Sequence, residues 1–204
     1  IDHIVVKTDG VPLYVEELTK TIIGSEILQD AGDCFELSGP LESLSIPDTL
    51  QASLMARLDR LPQVREIAQL GSVLGREFAY QMILGLSNIR DATLQEGLDQ
   101  LVDAELLYQR GRPPRARYVF KHALVMDAAY NSLLRRPRQQ YHRQVAELLE
   151  AQFSDIVEAH PELLAHHFSE AGEVGRAVVY WQTAGQKAIE GSANPEAISH
   201  LHNA

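Results

Sequence analysis

Cysteine is almost absent: Cys34 is the single one in 204 residues. One thiol closes no internal disulfide, and with no ligand-type neighbour in sequence it starts no metal cluster, so a reducing, cytoplasmic setting is expected. Long apolar runs are also lacking. Every helix-like stretch is broken by charges before the ~20 residues that a membrane span needs, so no membrane partner is expected. The opening IDHIVVKTDG has neither an initiating methionine nor a signal-peptide layout, and reads as the interior of a longer chain. No G-x-x-x-x-G-K-[ST] occurs, so there is no loop of backbone amides to cradle phosphates and no lysine to reach them. A hydrophobic strand ending in a Mg²⁺-binding acid is missing as well, and no Ser–His–Asp or Cys–His grouping can be assembled. The expectation is a non-catalytic chain, with no catalytic and no metal-ligating residue.

What is present is an ordinary folded composition, 45% hydrophobic and 23% charged, with length for one or two domains. The formal net charge of −10 is unevenly placed. Residues 110–143 hold nine Lys/Arg (110, 112, 115, 117, 121, 135, 136, 138 and 143) against one acid, Asp127. An acidic protein with one basic segment is not a general nucleic-acid binder, but it can carry an anion-facing patch.

The periodicity is mostly helical. Val11, Val15, Leu18 and Ile22 recur at helical spacing behind Pro12, and Gly24 ends that run. Residues 25–45 read as a connector with one short strand around Phe35–Leu37. Leu50, Leu54, Leu58 and Leu61 make the next stripe, and Pro62 opens a helix with Ile67, Leu70 and Val73–Leu74 inward. A short helical piece at Tyr80–Leu84 precedes a longer one capped by Asp91, with Leu94, Leu98, Leu101 and Val102 apolar. LLYQR, the turn GRPPR and ARYVFK then form a β-hairpin with Tyr118 and Phe120 on one face. Helices followed by a hairpin predict a mainly α fold with a winged-helix domain over residues 45–121.

From His122 helices are expected at 123–134, 138–153, 161–171, 174–190 and from 195 onward. RAVVYWQTA and EAISHLHNA share an A-x-x-x-[WL]-x-x-A pattern, Ala177/Trp181/Ala184 and Ala197/Leu201/Ala204. That pattern predicts a helical-repeat segment of tetratricopeptide type over 122–204, with a plain amphipathic helical hairpin as the alternative. His160, His166 and His167 invite a metal reading. The last two are adjacent, so on a helix they point about 100° apart, and a solvent-facing helix is the expectation instead. The third helix of the winged-helix candidate carries five acids (Asp91, Glu96, Asp99, Asp103, Glu105) and no Lys or Arg. Phosphates repel such a helix, so DNA recognition is disfavoured in spite of a basic wing.

Taken in order, TDGVPLYVEEL, SIPDTLQASLMARLDRLP and RYVFKHALVMDAAYNSLL resemble the STAND class of predicted regulatory ATPases, AAA+-like and related to the NB-ARC branch. Bacterial members are fused to class III adenylate/guanylate cyclases. The resemblance covers essentially the whole chain. It implies that residues 1–44 are the end of the ATPase lid with a connector, followed by the winged helix and the first helical repeats. It also implies that ATP or ADP with Mg²⁺ binds in the parent, with no cofactor in this segment alone. Gly10-Val11-Pro12 matches the GxP motif, whose proline packs beside the adenine. On the residues alone it is equally a first-turn proline. His122, in FKHALVMD, resembles the histidine of the Met-His-Asp motif, which contacts the β-phosphate of ADP. Lys121 stands where that motif has methionine, and Ala123 where it has aspartate. Lys121 would add a charge to the same phosphate. Pro12, Lys121 and His122 are therefore the expected nucleotide contacts.

The resemblance implies an intramolecular ATPase core and protein partners for the repeats. The function implied is non-catalytic regulation, coupling nucleotide state to partner sensing and to a cyclase output. The alternatives are a stand-alone helical-repeat interaction module and a winged-helix DNA-binding regulator.

Overall fold

The computed structural model describes residues 12, 14–16, 19, 28–30, 35–37, 50–59, 62–191 and 193–204. The described residues of the first expected helix, Pro12, Tyr14–Glu16 and Thr19, are helical, whereas Gly10, Val11, Leu18, Ile22 and Cys34 lie outside the described residues. Two short strands, β1 (Leu28–Asp30) and β2 (Phe35–Leu37), pair antiparallel, where the sequence predicted only the second.

Helix α1 (Leu50–Asp59) buries Leu54 and Leu58, one turn apart. Pro62 opens α2 (Pro62–Leu74), where a missing N–H has no partner to lose. Its inward stripe is Val64, Ile67, Ala68, Leu70 and Val73. Gly75, at φ +113°, turns the chain into a strand that the sequence reading missed, β3 (Glu77–Ala79). Helices α3 (Tyr80–Leu86) and α4 (Asp91–Asp103) follow, the second burying Leu94, Gly97, Leu98 and Leu101. Asp91 does not cap α4 as expected: Arg90 is the cap residue, and Asp91, in the first turn, accepts the Tyr80 hydroxyl and the Gln95 amide.

Strands β4 (Leu107–Arg110) and β5 (Arg117–Phe120) form the predicted hairpin, with Leu107 opposite Phe120 and Arg110 opposite Arg117. The sheet order is β3–β5–β4, antiparallel throughout. Its inner face stacks Phe78 on Tyr118, ring centroids 5.8 Å apart, with Phe120 beside them. On the outer face Arg117 pairs with Glu77 at 2.9 Å.

The rest is helical: α5 (Ala123–Asn131), α6 (Arg135–Gln152), α7 (Ser154–Ala159), α8 (Pro161–Ala171), α9 (Val174–Glu190) and α10 (Asn194–Asn203). Helix α6 begins three residues before the expected 138, because Pro137 lies in the first turn, whose N–H groups have no helical acceptor anyway. Gly172, at φ +80°, closes α8, its N–H reaching the carbonyl of Ser169. Helix α5 packs on α1 and α2, α6 on α2, α3 and α8, and α8, α9 and α10 follow side by side. One cluster of buried side chains runs from Leu54 through the sheet to Phe168 and Ala177. The chain is thus mainly α with a small three-stranded sheet. Among the described residues, no helix is long and apolar enough to cross a membrane.

Candidate functional site

Pro12 is helical and exposed. Lys121 follows β5, and its ammonium lies 3.3 Å from Glu16 and 3.5 Å from Glu105. Glu16 is one turn beyond Pro12, so this ion pair brings the Pro12 segment against the strand end that holds Lys121 and His122. His122 is the extended N-cap residue of α5, makes no side-chain cap bond, and has a buried Nε2 without a hydrogen-bond partner among the described residues. A buried ring nitrogen with unused capacity fits a nucleotide oxygen arriving from outside these residues. Lys121 fits less well, since a phosphate there would have to displace two carboxylates. Among the described residues no group of three His, Cys, Asp or Glu is arranged to hold a metal ion.

A second cluster was not anticipated. Adjacent on α8, His166 and His167 do point apart: His166 is exposed, but His167 is only 6% exposed. The solvent-facing expectation therefore fails for His167. It occupies the apolar stripe of α8 with Leu164, Phe168 and Ala171, at i−3, i+1 and i+4. That stripe was the signal available in the sequence. His142, 1% exposed, holds the matching place on α6 with Val145, Ala146 and Leu149. The two Nδ1 atoms are 2.9 Å apart.

The bonds beyond this pair fix the protons. Tyr130 Oη lies 3.4 Å from Glu170, and a carboxylate only accepts, so the hydroxyl donates to it. Tyr130 then accepts from His142 Nε2–H at 2.9 Å, and the bare His142 Nδ1 accepts from His167 Nδ1–H. The result is a chain of four groups from His167 to Glu170 across α8, α6 and α5. The His167 ring also lines a cavity of about 430 Å³ walled by Phe78, Met82, Val145, Leu149 and Leu163, with Glu77 and Arg117 among its lining residues.

Burial pushes His142 down to about 4, helped by His166 and Arg138. It pushes His167 down to about 3, helped by the other two histidines. Both folded values lie below the unfolded value near 6.5, so the unfolded chain binds more protons, and stability falls as the pH drops below 6.5. From pH 7 to pH 5 the two rings are expected to remove about 4 kcal/mol of stability. Glu150 is held below the usual carboxylate value, first by the Tyr180 hydroxyl and then by Arg176, so its contribution is lost only at more acid pH. Urea unfolding at pH 7 and pH 5 checks this, and a fall under about 1 kcal/mol contradicts it.

Helix α4 exposes Asp91, Glu96, Asp99 and Asp103, while the β4–β5 hairpin exposes Arg110, Arg112, Arg115 and Arg117. No family model matches the chain, and no solved structure matches it. Over 196 residues, 96% of its length, the chain is 28% identical to an uncharacterized protein of Rhizobium meliloti (strain 1021), and it spans 19% of that relative's length.

Proposed function

We propose that this chain is a non-catalytic regulatory region of a STAND-type signalling ATPase, coupling nucleotide state in a separate core to sensing of protein partners. The observation that carries this reading is the path α2–β3–α3–α4–β4–β5 with sheet order β3–β5–β4. This path supports a winged-helix reading, here followed at once by helices packed in sequence. Helix α9 packs against α8 and α10 against α9, which supports a tetratricopeptide-like stack. The Lys121–Glu16 pair, joining the GxP segment to the end of β5, supports a lid that rests on the winged helix. Exposed apolar residues on α9 and α10, Val179 and Ile198 among them, offer the repeats a surface for protein partners.

In the intact ATPase, His122→Ala is expected to speed ADP release about tenfold, the worth of one buried hydrogen bond to a charged group. Stopped-flow displacement of a fluorescent ADP measures the rate. An unchanged rate, with circular dichroism unaltered, removes His122 from the nucleotide site.

DNA binding is the competing reading, favoured by the basic wing and opposed by the four exposed acids of α4. No sequence-selective binding tighter than about 1 µM is expected at physiological salt, because phosphate contacts dominate such affinities. Fluorescence anisotropy against a randomised duplex library decides it. Sub-micromolar selective binding would install the regulator reading in place of the ATPase one.

A further inference from the structure

We infer that the His142–His167 contact is an acid-sensitive clasp that holds α8, with α9 and α10 stacked behind it, onto α6, and that protonation releases these three helices while the sheet and the helices around it stay folded. This inference does not depend on the ATPase reading.

The geometry demands a single proton between the rings. Two Nδ1 atoms 2.9 Å apart form a hydrogen bond only while one is an N–H and the other a lone pair. Once both rings are imidazolium, two N–H groups and two positive charges face each other at that distance, in a site where the rings are 1% and 6% exposed. The contact cannot survive double protonation, and already the first added proton places a cation out of water.

The surroundings give that cation little relief. On α6 itself stands Arg138, whose guanidinium covers the Tyr130 ring from 4.4 Å. From α5 comes Tyr130, which already accepts the His142 Nε2–H. On α8 are His166, edge-on to both rings, and Glu170, which reaches the pair only through the Tyr130 hydroxyl. Glu77 and Arg117 of the sheet, sharing the cavity lining with His167, are bonded to each other. Glu66 of α2 takes the Tyr141 hydroxyl, and Tyr80 of α3 bonds Asp91. Asp155 and Glu158 of α7 are exposed, and Arg176 of α9 is bonded to Glu150 and Glu173. Among the described residues, no carboxylate bonds to either imidazole of the pair.

The division between what opens and what holds follows from where the histidines sit. His167 belongs to α8, which meets the rest of the core chiefly through α6 and is continued by α9 and α10. The two histidines of the clasp lie on α6 and α8; among the sheet and α2 to α5 the one described histidine is His122, at the junction of β5 and α5. Acid therefore loosens one seam of the core and leaves the other intact.

The test is hydrogen exchange followed by mass spectrometry on the whole chain at pH 7 and pH 5, with rates corrected for intrinsic exchange. Each histidine that must stay neutral shifts the opening equilibrium by about 30-fold over the interval from 6.5 to 5. Peptides of α8, α9 and α10 are expected to lose at least about tenfold in protection, while those of α2 and α4 keep theirs. The double variant His142→Gln/His167→Leu should show no selective loss. Equal loss in α2 and α8, no loss in wild type, or the same selective loss in the variant would each overturn the clasp. If the variant does not fold, the ring signals of wild type decide by NMR titration: midpoints below about 5 for both histidines support the clasp, and midpoints near 6.5 overturn it.

Discussion

Gly97→Val is expected to destabilise the fold by at least about 3 kcal/mol, whereas Gly97→Ala should stay within about 1 kcal/mol of the parent. Gly97 is buried on α4 where that helix crosses α2. A Cβ built there would run into Ile67 Cδ1 and lie 3.2 Å from Val64 Cγ1. Ile67 Cδ1 is the far end of a flexible side chain and can swing away from one methyl group. That strain is offset by the higher helix propensity of alanine. Valine adds two further carbons at a crossing with no room for them, and its β-branch restricts its own rotamers in a helix. The helices must then separate, which uncovers Leu94, Leu98 and Leu101, all fully buried. Urea unfolding of the three proteins measures both differences. A valine variant as stable as the parent would mean that α2 and α4 do not approach so closely.

Phe168→Ala is expected to cost about 3–5 kcal/mol, and Phe168→Leu a good deal less. The ring is fully buried between α8 and α9, stacked on Tyr180 with centroids 5.7 Å apart. The Arg176 guanidinium lies over its face, 3.9 Å from the centroid. Alanine removes the buried surface, the stacking and the cation–π contact together, and leaves a cavity within the core cluster that also holds Leu164 and Ala177. Arg176 keeps its ion pairs with Glu150 and Glu173, so the loss reports on the ring rather than on the charge network. Equilibrium unfolding checks the size, and a loss under about 2 kcal/mol would contradict the burial of this residue.

The helices were legible in the sequence where punctuation and periodicity coincide. Pro161 and Gly172 bound α8, and the residues 174–190 expected for α9 are those observed. The hairpin was legible because GRPPR separates two strands that pair with each other. Strand β3 was not. Three residues are too few to show alternation, only Phe78 is buried, and the partner strand lies 40 positions away. The helix read through residues 138–153 also ends earlier, because Phe153 leaves the helical region at φ −129°, ψ +47° and starts α7.

Of the candidate site residues, His122 and Lys121 were named from a motif resemblance, which carries order along the chain but not partners. The two carboxylates that hold Lys121 come from 105 positions before it and 16 before it, so nothing local announces them. The histidine pair is hidden for the same reason. His142 and His167 each read as one polar residue on an apolar stripe, and only the packing of α6 on α8 makes them a pair.

The order of strands in the small sheet governs when it can be completed during synthesis. A ribosome releases β3 first, with no strand yet available beside it, because its neighbour is β5 and not β4. Phe78 must wait while α3, α4 and β4 emerge, and meets Tyr118 only after the last strand is out. The local hairpin β4–β5 can close within microseconds of its release, and β3 then docks onto an edge already made. For the time that takes to translate, about 40 residues at about 5–20 per second, Phe78 remains without its sheet partners. Nascent chains halted before Phe120 should therefore be the ones that engage chaperones.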